Sequence, residues 1–126
     1  MILIADDDPD FADTCSMMLE GYGYDVSVVA NGAEALVRIG QRQPELLISD
    51  CGMPGIGGIE LSQALRARPT DAQFPIILMS GSLRGKVARG SSYDAFLRKP
   101  FSAEDLLHEV RRLVAMTDAS RTNIRH

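Results

Sequence analysis

The sequence predicts an α/β fold, a five-stranded parallel sheet with helices on both faces. Three observations carry that expectation. Short apolar runs alternate five times with helical patterns along the 126 residues, the pattern of strands joined by helical crossovers. Capping signals stand just beyond several of the runs, so helices start where strands stop. Finally, four of the runs end on acids, a hydroxyl or a lysine, and parallel strands would bring those groups to one rim.

The first run, Met1 to Ala5, is too short for a stable helix and suits a buried strand. It ends on Asp6-Asp7-Asp8, and Pro9 follows. Asp8 as N-cap with Pro9 at the first helical position opens a helix, and Phe11, Cys15, Met18 and Leu19 share one of its faces. Gly21 or Gly23 ends it. Tyr24 to Ala30 is a Val-rich second strand. Asn31-Gly32-Ala33-Glu34 has the form of a capping box, with Ala35, Leu36 and Ile39 giving the next helix.

Pro44 breaks the path to the third strand, Leu46-Leu47-Ile48, which ends on Asp50. A turn rich in Gly and Pro leads to a third helix over residues 58–68, with Ile59, Leu61, Ala64 and Leu65 inward and Pro69 beyond. Pro75 to Met79 is the fourth strand, ending on Ser80-Gly81. The stretch from Ser82 to Ser92 holds Gly85 and Gly90 among Arg84, Lys86 and Arg89 and supports only a short, weak helix. It has little to bury, and its basic residues suit either a partner-docking loop or a solvated one.

Tyr93 to Arg98 is the fifth strand, ending on Lys99-Pro100. Ser102 caps the last helix, Phe101 and Leu106 form a hydrophobic staple, and Leu106, Leu107, Val110, Leu113 and Val114 make its stripe. A single domain over 1–116 and a frayed polar tail over 117–126 are expected.

The polar strand ends point to chemistry. One Asp closing a strand is usually a cap, and Asp8 has that explanation. Asp6 and Asp7 do not: two carboxylates 4 Å apart cost roughly 4 kcal/mol before relaxation unless a cation answers them. Three carboxylates, Asp6, Asp7 and Asp50, can hold a hard cation such as Mg²⁺ through oxygen. One of them can then attack phosphorus, with Ser80 and Lys99 facing the remaining oxygens.

Charge distribution agrees. The net charge is −4, but residues 1–60 hold eleven acids against Arg38 and Arg42, while residues 61–126 hold eleven bases against six acids. An acidic pole suits a divalent cation, whereas the bases are scattered among acids and do not argue for nucleic acid. No run approaches the length of a membrane span, and no basic-then-apolar leader opens the chain. Cys15 and Cys51 fit no metal-ligand spacing and read as reduced thiols of a cytoplasmic protein. His108 and His126 stand alone, which speaks against a His-based metal site.

These segments resemble the receiver domain of bacterial two-component response regulators over about residues 1–115. Ile-Leu-Ile-Ala-Asp-Asp-Asp-Pro is similar to its opening strand and acidic pair, and Leu-Ile-Ser-Asp-Cys-Gly-Met-Pro-Gly-Ile-Gly-Gly to its phosphoacceptor segment. Pro-Ile-Ile-Leu-Met-Ser-Gly and Phe-Leu-Arg-Lys-Pro-Phe match its fourth and fifth strand signatures. The resemblance implies a flavodoxin-like (βα)5 sheet of strand order 2-1-3-4-5. It implies that Asp50 accepts a phosphoryl group from a sensor histidine kinase or phosphotransfer protein, with Mg²⁺ or Mn²⁺ present. Asp7 would bind the metal directly, Asp6 mainly through water, and the Gly52 carbonyl would be a further ligand. Ser80 would hydrogen-bond the phosphoryl group, Lys99 would pair with it, and Phe96 occupies the position of the aromatic that turns inward on activation. The Lys99–Pro100 bond is expected to be cis. The output is expected to be contact with a downstream protein, without direct nucleic-acid or membrane binding, and a phosphorylation-dependent dimer stays open.

Three departures from the family pattern stand out. Ser80 replaces the commoner Thr and keeps the hydroxyl, and Gly57 stands where Asp is common. The interval from Ser80 to Lys99 is shorter than usual, which puts the fourth helix in question. Positions two beyond the phosphoacceptor and two beyond the hydroxyl residue, here Gly52 and Ser82, modulate loss of the phosphoryl group in the family.

A rival reading is an aspartate-nucleophile phosphatase of the haloacid dehalogenase type. Asp6-x-Asp8 superficially fits its acids, but the following Thr or Val is missing and there is no room for a cap domain. A nucleotide-binding module is weaker, since no Gly-x-x-x-x-Gly-Lys-Ser/Thr occurs and Glu60 stands where Gly-x-Gly-x-x-Gly needs its last Gly. A receiver that only binds a partner is opposed by the intact acids, Ser80 and Lys99.

Overall fold

Each apolar run of the sequence is a strand, and all the strands belong to one sheet. The computed structural model describes residues 1–68, 74–81 and 92–124, with side chains to residue 116. The strands are β1 (Ile2–Ala5), β2 (Val26–Val29), β3 (Leu46–Asp50), β4 (Ile76–Ser80) and β5 (Ala95–Arg98). The helices are α1 (Pro9–Gly21), α2 (Gly32–Gln41), α3 (Gly58–Arg66) and α4 (Ala103–Ile124). Every strand pair is parallel, in the order β2-β1-β3-β4-β5.

Alternate residues of the buried strands feed two cores, as the twofold period of a strand requires. Leu3, Ala5, Leu47, Ile76 and Leu78 face α2 and α3, packing with Ala35, Ile39, Leu61 and Leu65. Ile2, Ile4, Leu46, Ile48, Ile77 and Met79 face α1 and α4, packing with Ala12, Cys15, Leu19, Leu106, Val110 and Leu113. With both faces covered, β1, β3 and β4 are buried throughout, so their carboxyl ends are held firmly in register.

The helix starts follow their capping residues. Asp8 Oδ1 accepts the amides of Asp10 (3.1 Å) and Phe11 (3.3 Å), and Ser102 Oγ accepts that of Asp105 (3.0 Å). Asn31 Oδ1 accepts the Glu34 amide at 2.9 Å, but Glu34 reaches back to the amide of Ala30 rather than closing a box on Asn31.

Several sequence expectations are revised. In α3 the buried positions are Gly58, Leu61, Ser62 and Leu65, whereas Ala64 is exposed. Ser62 tolerates complete burial because its hydroxyl lies 2.7 Å from the Ile59 carbonyl oxygen and 2.9 Å from Ser92 Oγ. Helix α4 extends to Ile124, with neither Gly nor Pro to interrupt it. The weak helix considered between Ser82 and Ser92, with Arg84, Lys86 and Arg89, lies outside the described residues apart from Ser92.

At the amino ends of β4 and β5 a polar clasp joins three elements. Arg66, at the end of α3, donates to the Phe74 carbonyl and to Asp94 Oδ2, both at 2.9 Å. The same Asp94 oxygen accepts the Ile76 amide at 2.8 Å. No helix among the described residues is long and apolar enough to cross a membrane.

Candidate functional site

Parallel register brings the carboxyl ends of β1, β3, β4 and β5 to one rim. Asp6 follows β1, Asp50 ends β3, Ser80 ends β4, and Lys99 follows β5. The Lys99 amide donates to the Ser80 carbonyl oxygen at 2.8 Å, so the hydroxyl-bearing and ammonium-bearing residues are joined through their backbones.

The carboxylates of Asp6, Asp7 and Asp50 converge, with one oxygen of each lying within 4.8 Å of the others. Asp6 and Asp50 are buried and Asp7 is exposed. Lys99 Nζ sits 2.8 Å from Asp6 Oδ2 and 3.4 Å from Asp50 Oδ1. Asp6 Oδ1 accepts the Asp8 amide at 3.0 Å, so both oxygens of this acid are engaged. Burial pushes the Asp50 carboxyl above its ordinary range; the Asp6 charge adds to this, and Lys99 and the Gly52 amide offset it only in part. For Lys99, burial acts downward, but its hydrogen bond to Asp6 and the charges of Asp50 and Asp6 more than reverse this and leave its pKa raised.

Three acids against one ammonium leave an excess of negative charge on hard oxygen donors. That donor set suits a divalent cation such as Mg²⁺ and suits a soft metal poorly. The cysteines do not join it. Burial raises the thiols of Cys15 and Cys51 to about 11, so neither is a thiolate near neutral pH.

The turn after Asp50 is shaped by close backbone approaches. A Cβ on Gly58 would lie 2.6 Å from the Asp50 carbonyl oxygen, and one on Gly57 would lie 2.6 Å from that of Cys51. A side chain at position 57, one of the departures from the family pattern, would require this turn to shift. Glu60 instead accepts the Gly57 amide at 2.7 Å and holds the turn against the start of α3. Gly52 lies beside the carboxylate, and a Cβ there would stand 3.5 Å from Asp50 Oδ2.

Phe96 is half-buried at the middle of β5, opposite Leu78, and packs against the α2/α3 core. The Lys99–Pro100 bond is cis. Ser82 lies outside the described residues. No sequence pattern points to Phe11 at the rim: its ring lies under Lys99, with Nζ 4.0 Å from the centroid. Helical periodicity places Phe11 on an apolar face but does not say that this face reaches a charge.

The phosphatase alternative is not supported. Its second acid, Asp8, is spent as the cap of α1, and Asp6 is held by Lys99 and the Asp8 amide.

Comparison with known proteins gives consistent matches. The family model of the response regulator receiver domain matches residues 2–111. The DNA-binding dual master transcriptional regulator RpaA of Synechocystis is 36% identical over 120 residues, 93% of this chain and 50% of that protein. The chain spans about half the length of the curated relatives it matches. Among solved structures, a CheY-like response regulator receiver domain protein of Methanospirillum hungatei superposes with a TM-score of 0.83 at 30% identity, covering 94% of this chain and 96% of that one. The response regulator TrrA of Thermotoga maritima, solved in complex with Mg²⁺-BeF, gives a TM-score of 0.80 at 30% identity, covering 89% of this chain and 96% of that one.

Proposed function

The chain belongs to the response regulator receiver domain family, the signalling domains of two-component systems, and from that premise we propose that Asp50 is its phosphoacceptor. The observation that carries the reading is the convergence of Asp6, Asp7 and Asp50 on one rim, with Lys99 the ammonium between Asp6 and Asp50. An Asp50 oxygen attacks the phosphorus of a phosphohistidine on a sensor histidine kinase or phosphotransfer protein. The P–N bond breaks, its electron pair passes to the imidazole nitrogen, and an acyl phosphate forms on Asp50.

Asp7 and Asp50, with the Gly52 carbonyl and with Asp6 acting mainly through water, would hold Mg²⁺ or Mn²⁺. When bound, the cation offsets the charge of the incoming phosphoryl oxygens. The metal-bound neighbour from Thermotoga maritima supports this assignment. Lys99 stands close enough to Asp50 to pair with a phosphoryl oxygen, and the Ser80 hydroxyl ends the adjacent strand. Phe96 lies on the neighbouring strand as the aromatic that reports the change, and the altered surface is read by a downstream protein partner.

The test is intact mass after treatment with acetyl phosphate and Mg²⁺. Wild type should gain one phosphoryl group, and Asp50→Asn should gain none. An Asn variant labelled at the wild-type rate rejects Asp50.

A further inference from the structure

Lys99 is held on a third side by something other than a carboxylate. Its ammonium lies 4.0 Å from the centroid of the Phe11 ring, and the Phe101 ring meets Phe11 edge-on at 5.5 Å and 86°. Phe11 is half-buried in the first turns of α1, and Phe101 is only two residues beyond Lys99. We propose that Phe11 is a positioning residue for phosphoryl transfer: its ring face keeps the Lys99 ammonium over the rim, beside Asp50. This rests on Asp50 being the phosphoacceptor.

The argument is one of restraint without competition. A lysine stem has four rotatable bonds, and an ammonium at a rim can swing into water. Asp6 and Asp50 hold the charge from the sheet side. A further carboxylate on the α1 side would fix it more tightly, but it would also compete with a phosphoryl group for the same ammonium. A ring face attracts the cation through its quadrupole, carries no net charge, and releases the cation at little cost when a stronger anion arrives. Phe101 braces the ring edge-on, the arrangement aromatic pairs favour, so the face stays turned toward Nζ. Preorganising a charge where negative charge will accumulate is a recognised route to rate.

The test compares Phe11→Leu, which keeps apolar volume and loses the ring face, with Phe11→Tyr, which keeps both. In metal-free protein the Lys99 ε-methylene protons should be shifted upfield by the ring current. The shift should survive in Phe11→Tyr and vanish in Phe11→Leu. Phosphorylation by acetyl phosphate with Mg²⁺ should slow about three- to tenfold in the Leu variant and recover in the Tyr variant. Ordinary ε-methylene shifts in wild type overturn the proposal, as does a Leu variant that labels at the wild-type rate. Equal slowing of both variants overturns it as well, since packing alone would then explain the loss. If wild type takes no phosphoryl group, the phosphoacceptor reading and the transfer role fall together, while the ring-current arm still decides the contact.

Discussion

Lys99 is bonded more closely to Asp6, at 2.8 Å, than it approaches Asp50, at 3.4 Å. Before any phosphoryl group arrives, the ammonium therefore leans more on Asp6 than on the assigned nucleophile. The Asp6 side chain is fully buried, so removing its cation leaves a buried charge poorly compensated. Lys99→Ala is expected to lose about 1–3 kcal/mol of stability in metal-free protein. Millimolar Mg²⁺ should restore part of the loss, because a second cation can answer the same carboxylates. Urea unfolding with and without Mg²⁺ measures both. A variant as stable as wild type without metal would show that Lys99 contributes nothing to the resting fold.

Asp50 bears the opposite cost. Burial raises its carboxyl above the ordinary carboxylate range, so the folded state holds this proton more tightly than the unfolded state does. Stability then falls as pH rises from about 4 through the folded value, and the penalty is fully present only above that value. In metal-free protein at pH 7, Asp50→Asn should raise Tm by about 2–6 °C. The gain should shrink below pH 4, where both states of the wild type carry the proton. Thermal melts at pH 3.5 and 7 check the sign, and a less stable Asn variant at pH 7 contradicts it.

Two glycines should respond in opposite ways to the same substitution. A Cβ on Gly58 would stand 2.6 Å from the Asp50 carbonyl oxygen and 3.2 Å from Leu78 Cδ2 in a packed core. Gly40, inside α2, would meet nothing within 4 Å. Gly58→Ala should therefore cost about 2–4 kcal/mol and slow labelling of Asp50, since the strand end must move. Gly40→Ala should stabilise by about 0.5–1 kcal/mol through helix propensity. Denaturant midpoints for the pair give the comparison directly.

The lifetime of the acyl phosphate should depend on position 52. Gly52 offers no side chain beside Asp50, and hydrolysis needs a water held in line with phosphorus. An Asn there would have its Cβ 3.5 Å from Asp50 Oδ2, near enough for the amide to orient water. Gly52→Asn should lose the phosphoryl group severalfold faster than wild type, as followed by timed intact mass. An equal or slower rate would mean that access of water, not its orientation, limits the reaction.

Much of this is legible in the amino-acid sequence. The strands could be read because each is a largely apolar run bounded by Gly, Pro or acid, and β1, β3 and β4 are buried throughout. Asp8, Asn31 and Ser102 could be read as caps because capping is local. What escaped depends on the third dimension. Ser62 is polar, and its burial depends on Ser92, thirty residues away in sequence, which supplies a hydroxyl for it. Phe11 looked like ordinary core because no spacing rule links α1 to the residue after β5. The rim itself was inferred only by assuming that all strands run parallel, which the sheet bears out.

The Arg66–Asp94 clasp gives the sheet a mechanical polarity. One guanidinium ties the end of α3 to the entry of β4 and, through Asp94, to the entry of β5, so those two strands start from a fixed anchorage. Ser80 and Lys99 stand at the far ends of the same strands. A disturbance there has little freedom to slide either strand along its length. The strand that carries Phe96 therefore runs from an entry tied at Asp94 to a rim tied at Lys99.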